Sequence, residues 1–172
     1  MSPRDMSSPQ YKTQFVDTPY VVQRGPRPAA RNGALMVMAG GAGMVVGVFL
    51  PWYSGGGVTL KGLDTFYGTD GTQFDGPGRI WMVLGLALFL LGTVTYVAGR
   101  YLGVAIAALV IGLIAIPASL VGVGAATNMA AEMKDLGQAS GSPSAGCWVG
   151  IMAVLLAVAG AVQVLTRRRP VL

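Results

Sequence analysis

The sequence predicts an all-α membrane protein: an antiparallel bundle of four transmembrane helices with small extracytoplasmic loops and a disordered N-terminal tail. Apolar residues make up 53% of the 172-residue chain, and charged residues make up only 11%. A soluble domain carries about 25% charged residues, so this chain lacks the charge that a water-exposed surface needs. The apolar residues are also gathered into four long runs that contain no Asp, Glu, Lys or Arg.

The four runs cover residues 33–50, 80–98, 102–124 and 146–165. Each is close to the roughly 20 residues that a helix needs to cross the core of a bilayer. Helices are expected because lipid offers no hydrogen-bond partner to an open backbone. The chain therefore divides into a Pro-rich cytoplasmic tail over residues 1–32, a four-helix domain over residues 33–166 and a basic cytoplasmic tail over residues 167–172.

The charge distribution predicts the orientation of the spans. With four spans both termini lie on one side, and that side carries nine of the twelve basic residues. The positive-inside rule places it in the cytoplasm, which makes the chain a multi-pass protein of the plasma membrane. Six arginines are expected to fix this topology and to contact anionic lipid headgroups: Arg24, Arg27, Arg31, Arg167, Arg168 and Arg169. Because the basic residues cluster beside the spans, the net charge of +5 is not taken to predict nucleic-acid binding.

Small residues at four-residue spacing predict close helix packing. The candidate packing or partner positions are Gly43 and Gly47 in the first span and Gly146, Gly150, Ala153 and Ala157 in the fourth. Two interpretations stay open: the small residues pack the bundle internally, or one row of them faces a neighbouring protein.

The composition argues against most catalytic chemistry. The chain has no histidine and one cysteine, which excludes haem bound by histidine, CxxC redox pairs and histidine acid–base catalysis. No spacing typical of metal ligands or nucleotide-binding loops is present. We therefore expect no catalytic residue, no cofactor and no metal, and a protein that is not an enzyme.

The loops on the outer side carry turn and strand signals. Residues 58–60 and 65–67 are typical of short strands, and Asp70-Gly71 and Asp75-Gly76 of turns, so a small β-hairpin is expected in the first loop. The second outer loop begins with a segment that either prolongs the third span or only connects two helices. Three tryptophans are expected to form an aromatic belt at the outer ends of the spans: Trp52, Trp81 and Trp148.

The first outer loop resembles that of many small four-span actinobacterial membrane proteins. The matching residues are Leu50-Pro51-Trp52, Gly56-Gly57-Val58-Thr59, Gly62-Leu63-Asp64 and Asp75-Gly76. Most proteins of this kind have no assigned activity. Some are accessory factors of the cytochrome bcc–aa3 respiratory supercomplex, and the resemblance makes that role a candidate here.

Together these features predict a non-catalytic accessory or structural subunit of a larger integral-membrane complex, with the respiratory supercomplex as the candidate assembly. The small-residue faces and the N-terminal tail are expected to dock on the partner, the tail through Tyr11, Phe15 and Tyr20. The alternatives are a bundle that binds or transports lipids or small molecules, and an envelope signalling protein.

Overall fold

A computed structural model describes residues 28–67, 73–98, 102–135, 137 and 141–166. Four helices dominate it: α1 (Pro28–Phe49), α2 (Gly78–Ala98), α3 (Leu102–Asp135) and α4 (Ala145–Thr166). The predicted helical architecture is confirmed at this level. All four helices are long and apolar enough to cross a membrane.

The helices form a four-helix bundle in which each helix packs against two neighbours. Helix α1 packs mainly against α2 and α4, and α3 completes the bundle by packing against the same two helices. Consecutive helices run in opposite directions, so each helix begins at the end of the bundle where the preceding helix stops. We call the end that carries the strands the cap end, and the end where α1 begins and α4 ends the tail end.

Two helices extend beyond the predicted spans. Helix α1 begins at Pro28 rather than at residue 33, and proline is well tolerated in the first turn of a helix. Helix α3 continues from residue 124 to Asp135 without a break. At 1.5 Å per residue its 34 residues measure about 51 Å, against about 30 Å for the core of a bilayer. The last three turns of α3 therefore stand beside the strands of the cap.

The cap contains two small antiparallel sheets rather than one hairpin. Strands β1 (Pro51–Gly55), β2 (Val58–Lys61) and β5 (Ser142–Pro143) form a sheet in the order β2-β1-β5. Strands β3 (Thr65–Tyr67) and β4 (Gln73–Asp75) form the second. The strands predicted over residues 58–60 and 65–67 are present, but they do not pair with each other.

A glycine pair explains the pairing of the first sheet. Gly56 and Gly57 connect β1 to β2 with positive φ angles of 59° and 77°. Two consecutive positive φ angles match the tight turn that favours antiparallel hairpins. Strand β2 is therefore already paired with β1 when the chain reaches β3. Strand β5 then joins the second connection to the first, since the Ser144 amide donates to the Trp52 carbonyl at 2.8 Å.

The lateral surface of the bundle is apolar. Large aliphatic side chains point outward from every helix, with 77% of Val97, 65% of Val83 and 62% of Leu120 exposed. The interior, by contrast, is lined largely by alanine and glycine. A protein surrounded by water rarely exposes a continuous aliphatic surface of this extent.

Candidate functional site

The best-defined cluster of side chains lies at the cap end, where three aromatic rings pack together. We call Trp52, Phe66 and Trp81 the aromatic cluster, and all three are fully buried. The ring centroids of Trp52 and Trp81 lie 4.5 Å apart at an interplanar angle of 56°, and those of Trp52 and Phe66 lie 6.4 Å apart. Tilted pairs at these separations are favourable beyond the area that they bury.

Both indole nitrogens of the cluster are hydrogen-bonded to helix carbonyls. Trp52 Nε1 donates to the Gly47 carbonyl at 2.9 Å, and Trp81 Nε1 donates to the Ala118 carbonyl at 3.1 Å. Trp52 is thereby fixed to α1, and Trp81 joins α2 to α3. The expectation that these two tryptophans form an aromatic belt is wrong for both, because they are buried inside the cap. Trp148 is 57% exposed, as a belt residue would be.

Glycines make room for the aromatic cluster. A Cβ atom on Gly62 would lie 2.8 Å from Cε2 of Trp52, and one on Gly122 would lie 2.5 Å from Cζ3 of the same ring. A Cβ on Gly150 would overlap the ring of Trp81. The cluster contains no titratable group, and it closes the cap end of the bundle.

A second set of contacts brings helix backbones together along α1. A Cβ on Gly33 would lie 2.8 Å from the Gly160 carbonyl oxygen, and one on Gly40 would lie 2.5 Å from the Ala153 carbonyl oxygen. Further along, Gly47 faces Gly146. The six positions on the two helices are spaced by seven residues and run in opposite directions, so we call them the α1–α4 glycine seam.

The other side of α1 repeats this spacing toward α2. A Cβ on Gly41 would lie 2.5 Å from the Gly85 carbonyl oxygen, and one on Gly92 would lie 3.1 Å from the Ala34 carbonyl oxygen. Close backbone approach is what small residues provide in helix pairs without a hydrophobic driving force. The four-residue spacing predicts close packing but not these pairs, whereas the seven-residue spacing, also present in the sequence, matches them.

The predicted packing positions are distributed over these contacts. Gly47, Gly146, Gly150, Ala153 and Ala157 are all buried between elements of the chain itself. Gly43 lies at the edge of α1, where it lines an open apolar groove of about 460 Å³ between α1 and α4. The side chains that line the groove with it are Ala39, Trp148, Val149, Met152, Ala153 and Leu156.

The tail end holds one described member of the predicted arginine set. Arg31 is exposed, and its Cζ lies 5.7 Å from the centroid of the Tyr96 ring. This cation–π contact joins the start of α1 to the end of α2. The other arginines and the three aromatic residues of the tail lie outside the described residues: Arg24, Arg27, Arg167, Arg168, Arg169, Tyr11, Phe15 and Tyr20.

Comparison with known families assigns the chain. The family model described as the MiaB C-terminal domain matches residues 28–172, which include all four helices and the cap. The chain belongs to the MiaB C-terminal domain family. Comparisons with curated proteins and with solved structures give no match.

The match corrects the predicted family and function. The suspected membership in a group of small four-span actinobacterial membrane proteins is wrong, because the family shown is that of MiaB, a radical SAM enzyme that modifies tRNA. The predicted role as an accessory subunit of an integral-membrane complex, including the respiratory supercomplex, is wrong for the same reason. The two alternatives, a bundle that binds or transports lipids or small molecules and an envelope signalling protein, are not supported either, because the family modifies tRNA.

Two further expectations fall with these. The MiaB family consists of enzymes, so the expectation that the protein is not an enzyme is wrong. The MiaB family acts on tRNA, so the expectation of a membrane-complex partner and no nucleic acid is also wrong. The physical reason is common to both. A domain need not carry the reacting groups of the enzyme to which its family belongs, so their absence from a sequence does not define its activity.

The residues of this chain do not fit the cofactor of a radical SAM enzyme. Such chemistry uses an iron–sulfur cluster, and clusters are held by several cysteine thiolates. The chain has one cysteine, Cys147, and it is fully buried. Among the residues that the structure describes, no three His, Cys, Asp or Glu side chains come together to hold a metal.

Proposed function

We propose that this chain is the membrane-embedded part of a tRNA-modifying enzyme of the MiaB class. The observation that supports the proposal most strongly is the extent of the family match, which covers the whole four-helix bundle rather than one soluble segment. The exposed lateral surface of all four helices is apolar, which favours a bundle surrounded by lipid. In this proposal the helices cross the plasma membrane and the tail end faces the cytoplasm.

The cytoplasmic orientation supplies a contact with tRNA. Arg24 and Arg27 directly precede α1 in the sequence, and Arg167, Arg168 and Arg169 directly follow α4. The second turn of α1 and the last turn of α4 lie together, since a Cβ atom on Gly33 would lie 2.8 Å from Cγ2 of Val164. The sequence therefore attaches both groups of arginines to helix ends that lie together. Arginine is well suited to phosphate oxygens because its planar guanidinium donates two parallel hydrogen bonds.

Salt-dependent binding of tRNA tests this proposal. The full chain in nanodiscs of zwitterionic lipid is expected to bind tRNA with an affinity that falls steeply with salt. The variant Arg167→Gln, Arg168→Gln, Arg169→Gln is expected to flatten the plot of log K against log salt by about 2–3 units of slope, because each lost phosphate contact removes about one.

A matched control is available at the cap end. The variant Lys61→Gln, Arg79→Gln, Lys134→Gln removes three exposed basic residues from the opposite end, so both variants change the net charge from +5 to +2. It is expected to keep the slope of the unaltered chain. Equal losses in both variants would mean that only net charge matters, and no binding by the unaltered chain would argue against a tRNA contact.

A further inference from the structure

We infer that this chain does not hold the iron–sulfur cluster that the MiaB-class reaction requires, and that Cys147 is an internal packing residue of the cap. This inference rests on the proposed function, because it concerns where the reaction of that enzyme takes place.

The surroundings of Cys147 exclude a ligand role. Its side chain is fully buried, and its Sγ donates to the Trp52 carbonyl at 3.5 Å. The same carbonyl accepts the Ser144 amide, so the thiol lies where α4 meets β1. Gly146, the neighbouring residue, packs against the ring of Trp52. A cluster at this position would have to displace Trp52, which holds the cap together.

Two carboxylates of the described residues, those of Asp64 and Asp75, are engaged in hydrogen bonds of the cap, and no three His, Cys, Asp or Glu side chains of that part of the chain come together. Asp64 accepts a hydrogen bond from the Lys61 amide at 2.7 Å. Asp75 accepts one from Thr65 Oγ1 at 3.1 Å and one from Gln73 Nε2 at 2.8 Å. These carboxylates stabilise turns and a strand pair of the cap. They also lie at the end of the bundle opposite the one proposed to meet tRNA.

Anaerobic reconstitution tests the inference. The purified full chain is incubated with ferrous iron and sulfide, beside a [4Fe–4S] protein that shows the conditions to assemble clusters. The chain is expected to gain no visible cluster absorbance. Its content of bound iron and acid-labile sulfide is expected to equal that of the Cys147→Ala and Cys147→Ser variants. Far-ultraviolet circular dichroism verifies that both variants are folded.

A cluster retained by the unaltered chain would overturn the inference, whether or not the Cys147 variants also retain it. The proposed function fails in a different experiment, the binding of tRNA in nanodiscs. A chain that binds tRNA and assembles a cluster contradicts only the inference, and a chain that does neither contradicts only the proposed function.

Discussion

Replacing Gly150 with alanine is expected to destabilise the bundle by at least the roughly 1–3 kcal/mol typical of overpacked cores. The new methyl group would overlap the ring of Trp81. That ring has little freedom to move, because its Nε1 donates to the Ala118 carbonyl and its face packs on Trp52. The cost therefore falls on the separation of α2 and α4. Unfolding in a denaturing detergent, followed by far-ultraviolet circular dichroism, measures it.

Gly124→Ala is the matched control for this substitution. Gly124 lies within helix α3, yet a Cβ atom there would meet nothing within 4 Å. Alanine has the higher helix propensity by up to about 1 kcal/mol, so this variant is expected to be as stable as the unaltered chain or slightly more stable. Equal stabilities for the two variants would show that Gly150 does not lie against Trp81.

Replacing Trp52 with alanine is expected to cost about 3–5 kcal/mol, the usual range for a large aromatic residue removed from a core. Trp52 packs against two other aromatic rings and fills a space bordered by Gly62, Gly122 and Gly146. Its loss leaves a cavity lined by backbone that has little freedom to close. Unfolding in the same detergent titration measures the effect, since the helical signal in the far ultraviolet comes mainly from the backbone amides.

Two further substitutions separate the contributions of Trp52. Trp52→Phe keeps an aromatic ring but loses the hydrogen bond to the Gly47 carbonyl. The lost bond is expected to cost about 1 kcal/mol, in addition to the cost of the smaller ring. Trp148→Ala removes a tryptophan that is 57% exposed, and its effect is expected to stay within about 0.5 kcal/mol. If Trp148→Ala were as destabilising as Trp52→Ala, the aromatic cluster would not be the centre of the cap.

The helices were predictable from the sequence because charge-free runs have clear ends. The second and fourth predicted spans, residues 80–98 and 146–165, differ from α2 and α4 by no more than two residues at either end. The end of α3 was harder, since its last three turns contain polar and charged residues and lie beyond the apolar run. Length and hydropathy define a span, and they do not define where a helix stops.

The pairing of the strands and the interior of the cap were not predictable in the same way. Short strands pair according to their turns, and Gly56-Gly57 was read as part of a glycine-rich segment rather than as the turn that joins β1 to β2. Tryptophan at the end of a span suits a lipid interface and a buried cap equally well. Local sequence therefore did not distinguish Trp52 and Trp81, which are buried, from Trp148.

The family-level function was not accessible from the residues at all. The chain has one cysteine and no histidine, and its described residues show no cluster of metal-ligating side chains. On their own these features favour a non-catalytic subunit. The family match shows instead that the chain belongs with a tRNA-modifying enzyme. A domain that lacks the reacting groups of its enzyme family carries no sequence pattern that indicates the reaction.

Mass spectrometry of the tRNA nucleosides from cells that lack this chain tests the proposed function most directly. The MiaB family comprises methylthiotransferases, so methylthiolated nucleosides are expected to fall when the chain is deleted. The unaltered chain, recovered in the membrane fraction, is expected to restore them. The Arg167→Gln, Arg168→Gln, Arg169→Gln variant is expected to restore them less well than the Lys61→Gln, Arg79→Gln, Lys134→Gln control. Unchanged methylthiolation in the deletion strain would contradict a role for this chain in tRNA modification.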